Sequence, residues 1–351
     1  MKKHWHYIDF LRVLACFLVI ANHTVKDSFI GYNMDFSATL GMAYLTFSKI
    51  AVPIFLMISG ALLFEREEDY LSVWKKRILP LAAVIIFFSL FVYIFIEKRE
   101  FSLISWVASM IHEPAFVAYW YLYTLMGIYV MLPILQKLVH ALKETDFKYL
   151  LTIWFVIMAC LPFLGAWHLF PFVSPYFVLP VLTPEIGFLF LGYYLTHIQE
   201  NRKPIRFYAI VLCVTMILCY FYNIFETKHF GSFTLLLDRA CVWSSVILAI
   251  CVFQIVYQLY ETKTLSIKFN QIMYYIGETT FGIYLIHGIT LWLCIPIQTY
   301  LLNIGNRLLG VVLYSFVIFA FSFILVRLLA IIPLFKRLFH VRGSLRLFEN
   351  E

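Results

Sequence analysis

Apolar residues in this chain run in long stretches separated by short polar segments. A helix that spans a membrane needs about 20 mostly apolar residues, and ten stretches approach that length. The pattern predicts an all-α, polytopic integral-membrane bundle of about ten transmembrane helices, forming one domain over residues 1–351. The approximate spans are 7–29, 41–64, 78–97, 118–139, 148–168, 177–197, 205–225, 234–259, 272–298 and 304–334.

Composition supports a membrane protein. Hydrophobic residues make up 63% of the 351 residues and charged residues 13%, whereas a soluble globular domain is about half apolar and about a quarter charged. The seven cysteines form no CxxC pair, so neither a disulfide framework nor a metal site is expected. The formal charge of +7 comes without a basic-aromatic motif, and nucleic acid is not an expected partner.

Lysine and arginine are distributed unequally between the two sets of loops. With the N-terminus inside, the inner segments hold 18 of these cations and the outer segments hold 5. Cytoplasmic loops carry the excess of basic residues in membrane proteins, and anionic lipid attracts them. Both termini should therefore be cytoplasmic, as an even number of spans requires, and the first helix should be retained.

Ionisable groups inside a membrane are costly and usually line a cavity or a water-filled path. The list of such residues in the predicted spans is short, so each is a candidate for function. The candidates are Arg12, His23, Lys49, Glu185, Asp238, Arg239, Glu278, His287 and Arg327.

Arg12 and His23 lie in the first span, eleven positions apart. At 100° per residue this spacing is about 20° from three full turns, so both side chains point off one helix face, about 16 Å apart along the axis. Asp9 is placed to pair with Arg12. The geometry suits a long, thin ligand with its anionic end at Arg12 and its reactive end at His23. Taken singly, Arg12 could snorkel to headgroups and His23 could bond another helix.

The stretch "KIAVPIFLMISGALL" begins at Lys49 and contains Ser59 and Gly60. Lys49 falls at about the depth of His23 and could hold a carboxylate, a phosphate or a sugar oxygen, or it could snorkel outward. Ser59 and Gly60 favour close helix approach, and Ser59 is also a candidate substrate contact.

Three other stretches carry candidate chemistry. Adjacent cations at the start of the third span could clamp phosphates with help from the helix dipole, or could simply be positive-inside charge. Aromatic residues in "YWYLYTLMGIYVMLPIL" could form a sugar platform or an interfacial belt. A histidine in "ETTFGIYLIHG" either bonds another helix or faces the cavity. The cations are Lys75, Lys76 and Arg77, the aromatic residues are Trp120, Tyr121 and Tyr123, and the histidine is His287.

These stretches, in this order, resemble the acyltransferase-3 family of bacterial integral-membrane acyltransferases. Arg12 and His23 match its Arg-x10-His signature, and "VPIFLMISGALL" is similar to its Pro-x-Phe-Phe-x-x-Ser-Gly element. "WYLYTLMGIYVMLPIL", "PEIGFLFLGYYL" and "FGIYLIH" match three later elements. The resemblance covers about residues 5 to 335.

The resemblance implies a transmembrane reaction in the bacterial inner membrane. The family uses cytoplasmic acyl-CoA, usually acetyl-CoA, as donor, and a hydroxyl of an envelope glycan or related molecule as acceptor, without a metal. By this resemblance His23 is the essential histidine, Arg12 its partner, and the basic loop a holder of the CoA phosphates. The family's Arg-x-x-Arg is not kept in that loop, where Trp74 stands three before Arg77, so Lys75, Lys76 and Arg77 are the expected clamp.

Two other functions fit ten spans and buried charges. A transporter or flippase of a glycan or lipid-linked precursor is the first alternative, although we find no matching pair of Gly/Pro-broken helices in two repeated halves. A sensor or assembly subunit without catalysis is the second. The acceptor, the acyl chain and the oligomeric state, a homo-oligomer included, stay open at this point.

Overall fold

The protein is an α-helical bundle in a computed structural model. The structure describes residues 4–29, 36–166, 182–230, 237, 241–262, 265–303 and 306–341. Throughout these ranges the regular structure is helical and there is no β-strand. The predicted all-α fold is confirmed.

Seventeen α-helices are described, and five short stretches of π- or 3-10 helix continue or precede some of them. The π-helical stretches are Trp74–Ile78, Val92–Ile96, Phe155–Cys160 and Tyr194–Ile198, and the 3-10 stretch is Val117–Tyr119. The α-helices are α1 His6–Phe29, α2 Phe36–Ser48, α3 Ala51–Leu63, α4 Tyr70–Val73, α5 Leu79–Phe91, α6 Leu103–His112, α7 Trp120–Ala141, α8 Glu144–Trp154, α9 Leu161–Ala166, α10 Pro184–Tyr193, α11 Ile205–Phe230, α12 Trp243–Thr262, α13 Ile267–Gly277, α14 Thr280–Leu293, α15 Ile295–Leu302, α16 Arg307–Leu329 and α17 Pro333–Leu338.

Eight helices among the described residues are long and apolar enough to cross a membrane, and a bent pair makes nine. Every predicted span has a helical counterpart. The sixth, 177–197, begins outside the described residues, and its described part is α10 with the π-helical Tyr194–Ile198. The ninth, 272–298, is the bent one, because α14 and α15 meet at 68°. The chain is a multi-pass membrane protein.

The first span is the centre of the bundle. Helix α1 packs against α2, α3, α12, α13, α14 and α16, which explains why an apolar helix can carry polar groups away from lipid. The Cys16 thiol donates to the Thr280 carbonyl, and the Thr24 and Ser315 hydroxyls share a hydrogen bond of 2.7 Å. Hydrogen bonds of this kind replace the water that a membrane interior lacks.

Helices α3 and α10 approach each other at glycines. A Cβ atom added to Gly60 would lie 1.9 Å from the Leu189 carbonyl oxygen, and one added to Gly192 would lie 2.0 Å from the Met57 carbonyl oxygen. Both neighbours are backbone atoms, which cannot rotate away. The close approach predicted for Gly60 is confirmed.

We therefore expect Gly60→Ala to lower the free energy of unfolding by about 3 kcal/mol or more, the upper end of overpacking costs. The control is Gly127→Ala, because a Cβ at Gly127 would meet nothing within 4 Å. Thermal unfolding in detergent measures both. Equal unfolding temperatures for the two variants would contradict the close contact between α3 and α10.

Candidate functional site

One end of the bundle collects exposed charged side chains and both described ends of the chain. His4 and His340, near the two ends, line the same cavity as Arg66 and Lys76. We call this end the basic face, and the positive-inside rule predicts that it is cytoplasmic. Both described ends on one side agree with an even number of spans.

A cavity of about 1020 Å³ opens at the basic face and runs into the bundle. Helix α7 lines it with Tyr129, Leu125 and Tyr121. These residues are four apart and lie on one helix face, so the cavity follows α7 for two turns, or about 12 Å. Among its described residues, helix α1 lines the cavity only near its N-terminal end, through residues that include Asp9 and Arg12.

Arg12 lies at the mouth of this cavity beside a buried carboxylate. Its Nη1 atom is 4.0 Å from Oδ1 of Asp9, and its side chain is 38% exposed. The other carboxylate oxygen of Asp9 is 2.5 Å from Nε2 of His4. Asp9 therefore lies beside Arg12 at the mouth, and the planar guanidinium is a group that suits phosphate recognition.

The predicted basic clamp lies on a widened helical turn. Residues Trp74–Ile78 are π-helical, a local form that is frequent at functional sites. Lys76 and Arg77 line the cavity, whereas Lys75 is exposed and is not among the lining residues of the described chain. Arg66, one of the 18 inner-segment cations counted in the sequence, also lines the cavity.

Arg77 is held in place by a carboxylate and an aromatic ring. Its Nη2 atom donates to Oε1 of Glu68, and its Nε atom lies 3.3 Å from Oε2 of the same residue. The guanidinium carbon is 5.7 Å from the Tyr129 ring centroid. The Tyr129 hydroxyl interacts with Arg77, and Tyr129 lines the same cavity as Arg12 and Arg77. The two arginines therefore converge on one region of the cavity.

Three aromatic residues close the inner end of the cavity. The rings of Tyr121 and Tyr284 are edge to face with centroids 5.9 Å apart, and Phe55 lies 6.4 Å from Tyr121. All three line the cavity. We call Phe55, Tyr121 and Tyr284 the inner aromatic wall.

The inner aromatic wall is fixed by hydrogen bonds between α14 and the turn that precedes α7. The Tyr284 hydroxyl donates to the Ala118 carbonyl, and the Tyr119 hydroxyl donates to the Leu285 carbonyl over 2.5 Å. These reciprocal bonds join two segments that are 166 residues apart in sequence. The ring of Tyr284, which is 8% exposed, is therefore a rigid part of the site.

Two histidines lie behind this wall. His23 and His287 have ring centroids 5.3 Å apart, and His287 is 5.7 Å from the Tyr284 ring. His287 is 1% exposed, and its Nδ1 atom is 2.5 Å from the Tyr284 carbonyl oxygen. A carbonyl can only accept, so Nδ1 carries the proton and, in a neutral ring, Nε2 is an acceptor. The two histidines lie on different helices, α1 and α14, so the helical period does not relate their positions.

Arg12 and His23 are related as the spacing predicted, since both lie on the unbroken helix α1. Arg12 lines the cavity, whereas His23 is not among the lining residues of the described chain. His23 lies about 16 Å from Arg12 along the α1 axis. The inner aromatic wall begins at Tyr121, about 12 Å from Tyr129 along the α7 axis. The cavity therefore stops just short of the histidine pair.

The other predicted contact residues are dispersed. Lys49 donates to the Asn22 side chain over 2.8 Å, next to His23 in sequence. Ser59 donates to the Phe55 carbonyl and interacts with the Tyr121 hydroxyl.

The predicted aromatic platform is likewise divided. Tyr121 faces the cavity, Tyr123 donates to the Met110 carbonyl in α6, and Trp120 is 37% exposed. The structure does not bring the three rings together as one stacking surface.

Of the remaining intramembrane charges, Glu278 and Arg327 form an ion pair of 3.9 Å, with the Arg327 guanidinium 3.5 Å from the Tyr275 ring centroid. Glu185 lies in the first turn of α10, where the helix dipole favours an acid. Asp238 and Arg239 lie outside the described residues.

Sequence reasoning missed several residues of the cavity. Tyr284 is three residues before His287 in "FGIYLIH", so the helical period already placed both on one face. No comparable signal marks Glu68 as the partner of Arg77, because the two are joined through a loop and a π-helical turn. The same holds for the alignment of Tyr129 with the two arginines.

One group of metal-ligating side chains is found among the described residues, at the mouth of the cavity. The ligand atoms of His4, His6 and Asp9 lie within 4.8 Å of one another. Asp9 already accepts a hydrogen bond from His4 and lies beside Arg12. The expectation of a reaction without a metal stays a prediction.

The sequence matches the family model described as an acyltransferase domain, that of the acyltransferase-3 family, over residues 5–327. This covers nearly the whole chain, so the protein belongs to that family and is a membrane acyltransferase. No curated protein and no solved structure matches it.

Proposed function

We propose that this protein transfers an acetyl group from cytoplasmic acetyl-CoA to a hydroxyl of an envelope glycan or a related acceptor, in a bacterial inner membrane. Family membership supports acyl transfer. The donor, the acyl group and the acceptor are our inference from the site.

The observation that carries this proposal is a cavity whose two ends differ in chemistry. At the basic face it is lined by Arg12, Arg66, Lys76 and Arg77, which suit the phosphates of a nucleotide. Its inner end is aromatic and lies beside a histidine pair. A donor with a charged head and an uncharged reactive arm, such as acyl-CoA, fits that polarity.

His23 is suited to act as the general base. Imidazole titrates near neutral pH, and a positioned base lowers the barrier to hydroxyl attack. In the proposed step, the acceptor oxygen attacks the thioester carbonyl carbon while His23 takes its proton. The carbon–oxygen bond forms, the carbon–sulfur bond breaks, and the thiolate leaves with the proton from His23 as free CoA. An acyl-imidazole on His23 is the variant route.

We assign His287 a positioning role. Its Nδ1–H is directed at the Tyr284 carbonyl, so a neutral ring has no second N–H with which to stabilise an oxyanion. Its Nε2 can instead accept a hydrogen bond from His23 and orient that ring. Holding the base in this way resembles the orientation of a catalytic histidine by a third group.

The test of the donor site is stabilisation by CoA. A ligand that binds only the folded state raises the unfolding temperature with concentration. We expect CoA to do so for the detergent-solubilised protein, and Lys76→Ala to reduce the shift more than Lys75→Ala does. These adjacent substitutions remove the same charge, but only Lys76 lines the cavity.

A transporter or flippase gives a different result in that experiment. It would not require CoA, and the protein would unfold at the same temperature at every CoA concentration. If Lys75→Ala and Lys76→Ala reduced the CoA-induced shift in unfolding temperature equally, the shift would depend only on the overall charge of the basic face. That result would contradict CoA binding in the cavity.

A further inference from the structure

We propose that the inner aromatic wall selects short acyl groups, and that Tyr121 is the residue that sets the limit. This inference rests on the proposed function, since it concerns the acyl end of the donor in the same cavity. It adds a specificity-determining residue that the transfer chemistry itself does not require.

The first argument is position. The wall begins at Tyr121, about 12 Å from Tyr129 along α7. His23 lies about 16 Å from Arg12 along α1. A thioester that reaches His23 from the basic face must therefore bring its carbonyl carbon to the wall. The acyl chain attached to that carbon must then fit between the wall and the histidine pair.

The second argument is rigidity. The Tyr284 ring is tied through its hydroxyl to Ala118 and packs beside His287 at 5.7 Å. The Tyr121 ring meets Tyr284 edge to face at 5.9 Å between centroids. The Phe55 ring lies beside Tyr121, with 6.4 Å between centroids. Rings in such contact leave no space for additional methylene groups unless one of them moves.

Tyr121 is the member of the wall that can be changed with the fewest other consequences. Truncation of Tyr284 would remove both its hydroxyl bond to the Ala118 carbonyl and its ring contact with His287. Phe55 meets the wall through the Tyr121 ring. Tyr121 lies on the first turn of α7, and its hydroxyl interacts with the Ser59 side chain. Its truncation widens the gap and leaves the histidine pair anchored.

The experiment compares acyl-CoA donors of two, four and eight carbons. Release of free CoA thiol is measured in membrane vesicles from cells that express the full chain, after subtraction of vesicles without it. The wild type should favour the two-carbon donor. Tyr121→Ala should raise the ratio of the eight-carbon to the two-carbon thiol-release rate by about tenfold or more. One methylene group that does not fit a hydrophobic pocket already changes discrimination by about tenfold or more.

Two controls separate ring volume from other effects. Tyr121→Phe keeps the ring and removes the hydroxyl, so the chain-length ratio should equal that of the wild type. Tyr123→Ala is the same truncation two residues along. The Tyr123 hydroxyl donates to the Met110 carbonyl, and Tyr123 is not among the described residues that line the cavity, so this variant should also leave the ratio unchanged.

The proposal is overturned if Tyr121→Ala keeps the wild-type ratio while CoA still raises its unfolding temperature. It is likewise overturned if Tyr123→Ala shifts the ratio equally. Failure of the proposed function gives a distinct result, because the wild type would then release no thiol from any donor and would not be stabilised by CoA.

Discussion

His23→Ala is expected to lower acetyl transfer by about 10³-fold, within the range for loss of a general base. Vesicles from cells expressing the chain are supplied with radiolabelled acetyl-CoA, and label is counted in the envelope fraction. Stabilisation by CoA should persist, because His23 does not line the cavity where the donor head is expected to lie.

The matched control is His112→Ala, which removes an exposed histidine of α6 whose side chain is 83% exposed. It should transfer acetyl at the wild-type rate. Undiminished transfer by His23→Ala would eliminate both the general-base step and the acyl-imidazole variant. Loss of CoA stabilisation in His23→Ala would instead assign this histidine to donor binding.

Arg12→Ala is expected to weaken CoA binding by about 100-fold. Removing one partner of a close charge pair costs about 2–5 kcal/mol, and tenfold in affinity corresponds to about 1.4 kcal/mol. The Asp9 carboxylate would also remain at the mouth without its nearest arginine and would repel phosphate. The KM for acetyl-CoA should therefore rise, while kcat at saturating donor should fall much less.

Arg99→Ala is the control for Arg12→Ala. Arg99 forms an ion pair of 2.8 Å with Glu97 and is not among the described residues that line the cavity. The KM of Arg99→Ala for acetyl-CoA should equal the wild-type value. Arg12→Lys should restore part of the affinity, since lysine keeps the charge and loses the planar fork. A fall in kcat with unchanged CoA affinity in Arg12→Ala would contradict a donor-phosphate role and place Arg12 in the transfer step.

The relation between Arg12 and His23 could be predicted because both lie on one helix. Within a single helix the period of 3.6 residues fixes direction and distance, and an apolar window identifies the helix itself. For the same reason most predicted spans differ from the structure only at their ends. The bend between α14 and α15 was not predicted, since the apolar pattern continues through Cys294 and Pro296.

The rest of the site depends on how different helices align, and the sequence carries no period for that. The contact of His23 with His287 joins α1 to α14, and the inner aromatic wall joins α3, α7 and α14. Lys75, Lys76 and Arg77 were equivalent in the sequence, whereas the widened turn presents only Lys76 and Arg77 to the cavity. Pairing of Arg77 with Glu68 likewise depends on the path of the intervening loop.

An experimental structure of the protein with bound acetyl-CoA tests the proposed donor site most directly. We expect phosphate density at Arg12, Arg66, Lys76 and Arg77, and the thioester at the inner aromatic wall. Acetyl-CoA bound at the opposite face, or in the cavity with its phosphates against Tyr121 and Tyr284, would contradict it.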